Sequence, residues 1–262
     1  MKLIQSRDNP TFRELRELAG DGRAQRRLGR TLIDGPHLVA SYLARCGCPR
    51  LIVLGESGRD KPEIASLIAT VGEAPIVMLK DALFREISGT ATPVGILAEI
   101  DIPAMPESPR GSCVVLDRIQ DAGNLGSILR SSAAAGIGDA VLGAGCAGPW
   151  TPRVLRAAQG AHFGLRIREE PDLPAWLAGY GGRSMAAVVA DGVPVQDADL
   201  RGPVAWIFGN EGSGIAPALC AAATLRVTIP MATATESLNV AAAAAICLFE
   251  ARRQNLYEKG TG

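Results

Sequence analysis

Histidine is almost absent from this 262-residue chain, with His37 and His162 the only two. A histidine-based zinc site and a His-based nucleophilic triad are both disfavoured by that scarcity. The six cysteines (Cys46, Cys48, Cys113, Cys146, Cys220 and Cys247) include no C-x-x-C pair, so no metal is expected. Aromatic residues make up 4% of the chain, which argues against an aromatic-rich binding face. No apolar stretch approaches the roughly 20 residues needed to span a bilayer, and the first ten residues lack the apolar region of a secretory signal. The expectation is a cytoplasmic protein with reduced thiols and no membrane partner. A G-x-G-x-x-G fingerprint is missing, which disfavours a nicotinamide enzyme. Net charge is zero, so the overall balance points to no polyanion.

Apolar residues form 47% of the chain and glycine fills 30 positions, enough for a sizeable core and many tight turns. The length suits two domains. Charge is unevenly spread: 1–50 holds ten Lys/Arg against five Asp/Glu, with Arg23, Arg26, Arg27 and Arg30 clustered. Such a cluster is either a solvated helix face or a phosphate-contacting patch. Pro103, Pro106 and Pro109 mark 101–111 as a linker between domains at 1–100 and 112–262. Before it, apolar runs at 51–54, 76–79 and 94–100 read as strands of a small α/β domain. After it, runs at 113–116, 140–142, 186–189, 204–208 and 226–229 alternate with helical stretches at 124–135, 152–159, 216–223 and 237–256. Continuous apolar strands alternating with helices predict a mostly parallel sheet covered on both faces. Cys113, Cys220 and Cys247 lie in apolar or Ala-rich runs and read as small core residues.

Three segments are hard to read as packing alone. At 116–130 a strand leads into D-R-I-Q-D-A-G-N-L-G-S-I-L-R, where Asn124 suits a helix N-cap and Arg130 follows between one and two turns later. Leu125, Ile128, Leu129 and Ser132 supply the helix's packing stripe. At 206–215 an apolar strand feeds a turn with three glycines around Glu211, whose backbone amides could cradle a nucleotide-like ligand. At 226–240 a strand ends at Pro230, a small-residue loop follows, and Ser237 and Asn239 stand where an Ala-rich helix begins. Polar side chains at such a junction sit beside backbone N–H groups that lack intrahelical partners.

In order and spacing, these three segments resemble the three motifs of the SpoU/TrmH family, RNA ribose 2′-O-methyltransferases of the SPOUT superfamily. The likeness covers 112–256. Ile4-Gln5-Ser6 with Asn9-Pro10, the Arg-rich stretch and the run from Ile33 to His37 are similar to the substrate-binding domain often found before this catalytic domain. Asp34 stands where the family usually has Glu, and Val94 where it usually has Gln. Gly123 and Ala241 replace a common His and Ser.

The resemblance implies a deep trefoil knot in the parallel-sheet domain and a small N-terminal α/β RNA-binding domain of the L30e-like kind. It implies S-adenosyl-L-methionine as cofactor, contacted by Gly209, Gly214, Ile229, Met231 and Leu238. Arg130 is implied as the central catalytic residue, as general base or as phosphate and alkoxide anchor. Asn124 would orient substrate or Arg130, and Glu211 would hold Arg130 or the ribose. Ser237 and Asn239 would position the nucleotide, and Arg23, Arg26, Arg27 and Arg30 would contact RNA. A homodimer is implied, with a site drawn from both chains and an interface on the terminal helix (Ala241 to Ala245, Leu248, Phe249, Leu256). The implied activity is 2′-O-methylation of a ribose in structured RNA, with rRNA ahead of tRNA because an added N-terminal domain can grip a folded loop. A non-catalytic RNA-binding or ribosome-assembly protein with the same fold is the alternative. The presence of all five polar site residues argues against it.

Overall fold

The structure is a computed structural model that describes residues 1–107, 109, 111–232 and 236–257. The chain divides into two compact units. One comprises Met1–Ala104 with Trp150–Phe163, and the other Met105–Pro149 with Gly164–Gly262. The segment Trp150–Phe163 therefore belongs with the first unit, although no change of composition flags it.

The first unit is built on a five-stranded mixed sheet of β1 (Lys2–Ile4), β2 (Arg30–Asp34), β3 (Leu51–Gly55), β4 (Ile76–Leu79) and β5 (Ile96–Asp101), in the order β1-β4-β3-β5-β2. β4 pairs in parallel with β1 and β3, while β5 runs antiparallel to β2 and β3. Helices α1 (Pro10–Gly20), α2 (Gly22–Leu28), α3 (Pro36–Cys46), α4 (Pro62–Ile68) and α5 (Asp81–Ile87) cover it. Alternation along the strands splits the core in two: Val53 and Leu97 pack with Phe12, Leu15 and Phe84, whereas Ile52 and Ile96 pack with Leu38 and Ile64. β1 and β2 were not expected from sequence, because Lys2 and Arg30 begin them with charge. The third expected strand starts at Ile96 rather than Val94, since Gly95 adopts φ +106.

In the second unit, β6 (Cys113–Asp117) leads to α6 (Ala122–Ala135) and β7 (Asp139–Gly143). The next helix, α7 (Pro152–Ala158), packs in the first unit, where Leu155 is fully buried and Arg156 donates to Asp34 at 3.2 Å. Asp34 also accepts from Ser88 Oγ (2.7 Å) and Gly89 N (3.1 Å), so the residue that departs from the family pattern is an internal anchor. The chain then adds β8 (Arg166–Glu170), α8 (Leu173–Gly179), β9 (Arg183–Ala187), β10 (Val193–Pro194), β11 (Val204–Gly209), α9 (Pro217–Ala222), β12 (Leu225–Thr228) and α10 (Val240–Tyr257). Seven strands form one sheet in the order β10-β12-β9-β11-β6-β7-β8, and every pairing is parallel. The fold class is α/β with a parallel sheet. Among the described residues, no helix is long and apolar enough to cross a membrane.

β8, β10 and one helix escaped the apolar-run reading, and β9 was read only in its second half. β8 reads R-I-R-E-E because it is an edge strand with only Ile167 buried, and charge suits an exposed edge. β9 begins at Arg183 rather than at 186, since buried Ser184 exchanges hydrogen bonds with Thr224 and behaves as a core residue. α8 and the two-residue β10 are too short to show a period.

Cys113 and Cys247 are buried and Cys220 is half-buried. Burial pushes the thiols of Cys113 and Cys247 up to about 12. Native-state alkylation at pH 8 followed by mass spectrometry should therefore label exposed Cys48 first and leave Cys113 and Cys247 unmodified until the chain is unfolded. Labelling of Cys247 at the rate of Cys48 would contradict the packing of α10.

Candidate active site

The three segments singled out above come together at the carboxyl ends of β6, β11 and β12. Asn124 is not the N-cap of α6. Asp121 takes that position and accepts from the Asn124 backbone N–H at 2.8 Å. Capping by Asp121 leaves the Asn124 side chain available. Its Nδ2 donates to Glu211 Oε1 at 2.8 Å, and its Oδ1 accepts from Asn239 Nδ2 at 2.9 Å. The bonded residues are 87 and 115 positions apart in sequence. Asn239 also caps α10: its Oδ1 accepts from Ala241 N (2.9 Å) and Ala242 N (3.3 Å). The terminal helix consequently starts at Val240, three residues later than expected, and Ser237 and Leu238 lie in the loop before it.

The glycine turn after β11 is organised by Asn210, which sequence reasoning passed over. Its Oδ1 accepts from Gly212 N (3.0 Å), Ser213 N (3.0 Å) and Ser213 Oγ (3.2 Å), while its Nδ2 donates to the Arg118 carbonyl (2.9 Å). The signal was available, since an Asn side chain bonding the backbone two residues on is a common turn device. The chain then doubles back so that Gly214 N donates to Asn210 O at 2.9 Å. A Cβ on Gly209 would meet the Ile215 nitrogen at 2.3 Å and the Gly214 carbonyl carbon at 2.4 Å, so only glycine fits. Gly214 turns the corner at φ +68.

This loop walls a cavity of about 240 Å³. Apolar sides come from Phe208, Ile215, Val227, Ile229, Met231 and Leu238, and the polar groups are those of Asn210, Glu211, Ser237 and the glycine backbone. All five expected cofactor-contacting positions (Gly209, Gly214, Ile229, Met231 and Leu238) line it. Glu211 and Ser237 line it too, and Asn124 and Asn239 reach it through their bonds to Glu211 and to each other. Arg130 does not line it. At 100° per residue, six residues carry Arg130 about 120° around α6 from Asn124. There it is exposed and, among the described residues, has no hydrogen-bond or ion-pair partner.

In the first unit Arg23, Arg26 and Arg27 are exposed on α2, with Arg27 bonded to Glu17. Arg30 differs from them. Its guanidinium spans Glu14 (2.5 Å) and buried Glu99 (2.6 Å), with 20% of its side chain exposed. Among the described residues no group of three or more His, Cys, Asp or Glu is arranged to hold a metal ion.

Residues 111–249, more than half of the chain, match the family described as the SpoU rRNA methylase family. The chain belongs to this SpoU family. As a SpoU-type RNA methyltransferase it is similar along its whole length to known members. It is 32% identical to the 23S rRNA (guanosine(2553)-2'-O)-methyltransferase RlmP of Bacillus subtilis, over 96% of this chain and 100% of that protein. Among solved structures, a putative TrmH-family RNA methyltransferase from Porphyromonas gingivalis superposes with a TM-score of 0.81 at 32% identity, covering 93% of this chain and 97% of that one. An AdoMet-bound rRNA methyltransferase from Sinorhizobium meliloti gives a TM-score of 0.83 at 26% identity, covering 96% and 97%.

Gly209→Ala in this SpoU protein should cost about 1–3 kcal/mol, because a methyl must enter occupied backbone space. Asn210→Ala should cost about 1–2 kcal/mol, through the backbone donors it strands. Urea unfolding monitored by circular dichroism measures both. A Gly209→Ala midpoint equal to wild type would mean that the loop does not fold back over residue 209.

Proposed function

We propose that the chain transfers a methyl group from S-adenosyl-L-methionine to the 2′-hydroxyl of a ribose in structured RNA, with rRNA as the substrate class ahead of tRNA. The convergence of Asn124, Glu211 and Asn239 beside one cavity carries this reading. The named relatives support it: RlmP is by its name a 23S rRNA 2′-O-methyltransferase, and a solved relative holds AdoMet. The cavity suits that cofactor on its own chemistry. Apolar walls from Val227, Ile229, Met231 and Leu238 offer an aromatic base a flat slot, and glycine backbone groups can meet its polar edge. Glu211 is the only charged side chain among the described lining residues, which fits a ligand carrying a sulfonium.

When bound, S-adenosylmethionine supplies an electrophilic methyl group, so the protein's task is placement and charge control. Glu211, held by Asn124, is set to orient the ribose or to receive a guanidinium. Ser237, in the loop before α10, is set to position the nucleotide. Arg130 is the anchor for the target phosphate and for the developing alkoxide, a role that suits the several N–H donors of a guanidinium. Because Arg130 is exposed and does not line its own chain's cavity, we read it as serving the cavity of a second copy in a homodimer. Ile246, Phe249 and Leu256 are exposed on α10 within a stripe about 80° wide and offer that copy an apolar contact. Leu248, expected at the same interface, is buried within its own chain.

We take 1–100 as the RNA substrate-binding domain, into which 150–163 also packs, 101–111 as the linker and the rest of 112–262 as the catalytic domain, whose return loops at 209–214 and 229–238 form the trefoil knot. Residues 233–235 of the second loop lie outside the described residues. Arg23, Arg26 and Arg27 are the exposed RNA contacts on the first domain, while Arg30 serves the fold.

Arg130→Ala should lower methyl transfer about 10²–10³-fold and leave S-adenosylmethionine affinity unchanged by calorimetry. Mixed dimers of Arg130→Ala with Gly209→Ala should regain activity, because one of their two sites combines an intact cavity with an intact Arg130. Near wild-type turnover of Arg130→Ala would remove the catalytic assignment, and no recovery in mixed dimers would remove the action across subunits.

A further inference from the structure

The turn that links β6 to α6 carries a charged pair with no assigned role. Asp117 ends β6 and is 6% exposed. Arg118 follows it at φ +56, in the left-handed region that a non-glycine residue seldom occupies. The Arg118 guanidinium donates to both oxygens of its neighbour, Nε to Oδ1 at 3.0 Å and Nη2 to Oδ2 at 3.2 Å. What the pair grips next is the glycine loop. Asn210 Nδ2 donates to the Arg118 carbonyl at 2.9 Å, Arg118 Nη2 donates to the Gly214 carbonyl at 3.4 Å, and Ala216 N donates to Asp117 Oδ2 at 2.7 Å.

Both ends of the 210–216 segment are therefore fastened to two consecutive residues. The left-handed backbone at 118 lets one residue present its carbonyl to Asn210 and its side chain to Gly214. The turn is braced from behind as well. Ile119 N donates to Cys146 Sγ at 3.3 Å, the same thiol donates to the Leu116 carbonyl at 3.3 Å, and Ala147 N donates to the Ile119 carbonyl at 2.8 Å. Gly145 leaves room for the arginine, since a Cβ there would stand 3.2 Å from Arg118 Cγ.

We propose that Asp117 and Arg118 are positioning residues for the cofactor: by clasping both ends of the glycine loop they hold Gly209, Glu211 and Gly214 in the shape that forms the cavity wall. The inference rests on reading that cavity as the S-adenosylmethionine site. Neither residue touches the reacting groups in this assignment, and two of the three residues they hold, Gly209 and Gly214, are cofactor contacts, so their effect falls mainly on cofactor affinity and reaches the ribose only through Glu211.

Steady-state kinetics with S-adenosylmethionine and total rRNA from a strain lacking the gene, together with calorimetry of cofactor binding, test the clasp. Arg118→Ala should raise the KM for S-adenosylmethionine roughly tenfold, the equivalent of one charge-assisted hydrogen bond, and leave the KM for RNA within about twofold. Arg118→Lys should recover part of the loss by keeping a donor for Asp117, and Asp117→Asn should weaken the cofactor in the same direction. If Arg118→Ala folds poorly, Arg118→Gly removes the guanidinium while relaxing the backbone and keeping the carbonyl that Asn210 needs. An unchanged cofactor KM in the alanine and glycine variants overturns the proposal. So does a rise confined to the RNA KM, which would make Arg118 an RNA contact. Absence of S-adenosylmethionine binding by the wild-type chain overturns the cofactor reading and this inference with it. Binding by the wild type with unaltered variants overturns the inference alone.

Discussion

The side-chain amide of Asn124 gives a hydrogen bond to Glu211 and takes one from Asn239, and the shape of the site follows from that exchange. An asparagine is suited to it because its short side chain both donates and accepts. A carboxylate in the same place could not donate to Glu211 and would repel it. The amide is available only because Asp121 has taken over the capping of α6. Asn239, in turn, splits its functions: its oxygen closes the first turn of α10 and its nitrogen reaches Asn124. The first turns of two helices are thus joined through Asn124, which carries the link on to the Glu211 carboxylate.

Helix packing brings these ends together. β12, which leads to Asn239, is separated from β6 in the sheet by β9 and β11, so strand pairing alone would leave the third segment far from the first. The contact is made on the sheet's surface, where α10 lies against α6. Leu125, Ile128, Leu129 and Ser132 on α6 are fully buried, as are Ala244 and Cys247 on α10. Small side chains let the two helix axes approach closely. The alanines of the terminal helix therefore bear on the chemistry at one remove, by setting where Asn239 falls.

Much of this was legible in the sequence, and the parts that were not have identifiable causes. β6, β7, β11 and β12 read as strands because both faces of a covered parallel sheet are apolar, and α6 showed its stripe and its closing Gly136. β8 was hidden by the charge of an edge strand, and the start of β9 by Ser184, whose polarity is cancelled by Thr224. Asn124 was assigned to the cap because residue type does not say which of two acceptors, Asp121 or Asn124, a helix start will use. Asn210 and the Asp117–Arg118 pair were missed for a related reason. Their importance lies in bonds made across 92 to 99 positions, and local pattern carries no trace of such partners. Arg30 shows the converse. Its place in a basic cluster suggested a nucleic-acid contact, but Glu14 and Glu99 meet its charge inside the fold.

The distribution of charge around the cavity bears on why a second copy of the chain would be needed. Glu211 is the only charged group among the described lining residues, and neutral amides hold it rather than a cation. A carboxylate paired internally with arginine would have little field left for a ligand, whereas one held by amides keeps its charge effective at the cavity. That suits a cofactor bearing a sulfonium. Under the proposed function it also leaves the cavity without a positive group for an RNA phosphate and a developing alkoxide. Arg118 cannot supply it, being committed to Asp117 and Gly214. Under the proposed function Arg130, exposed on α6 and outside the cavity lining, would supply it from a neighbouring chain. An arrangement of that kind would keep the arginine apart from Glu211 until two chains meet, making the complete set of charges a property of the dimer.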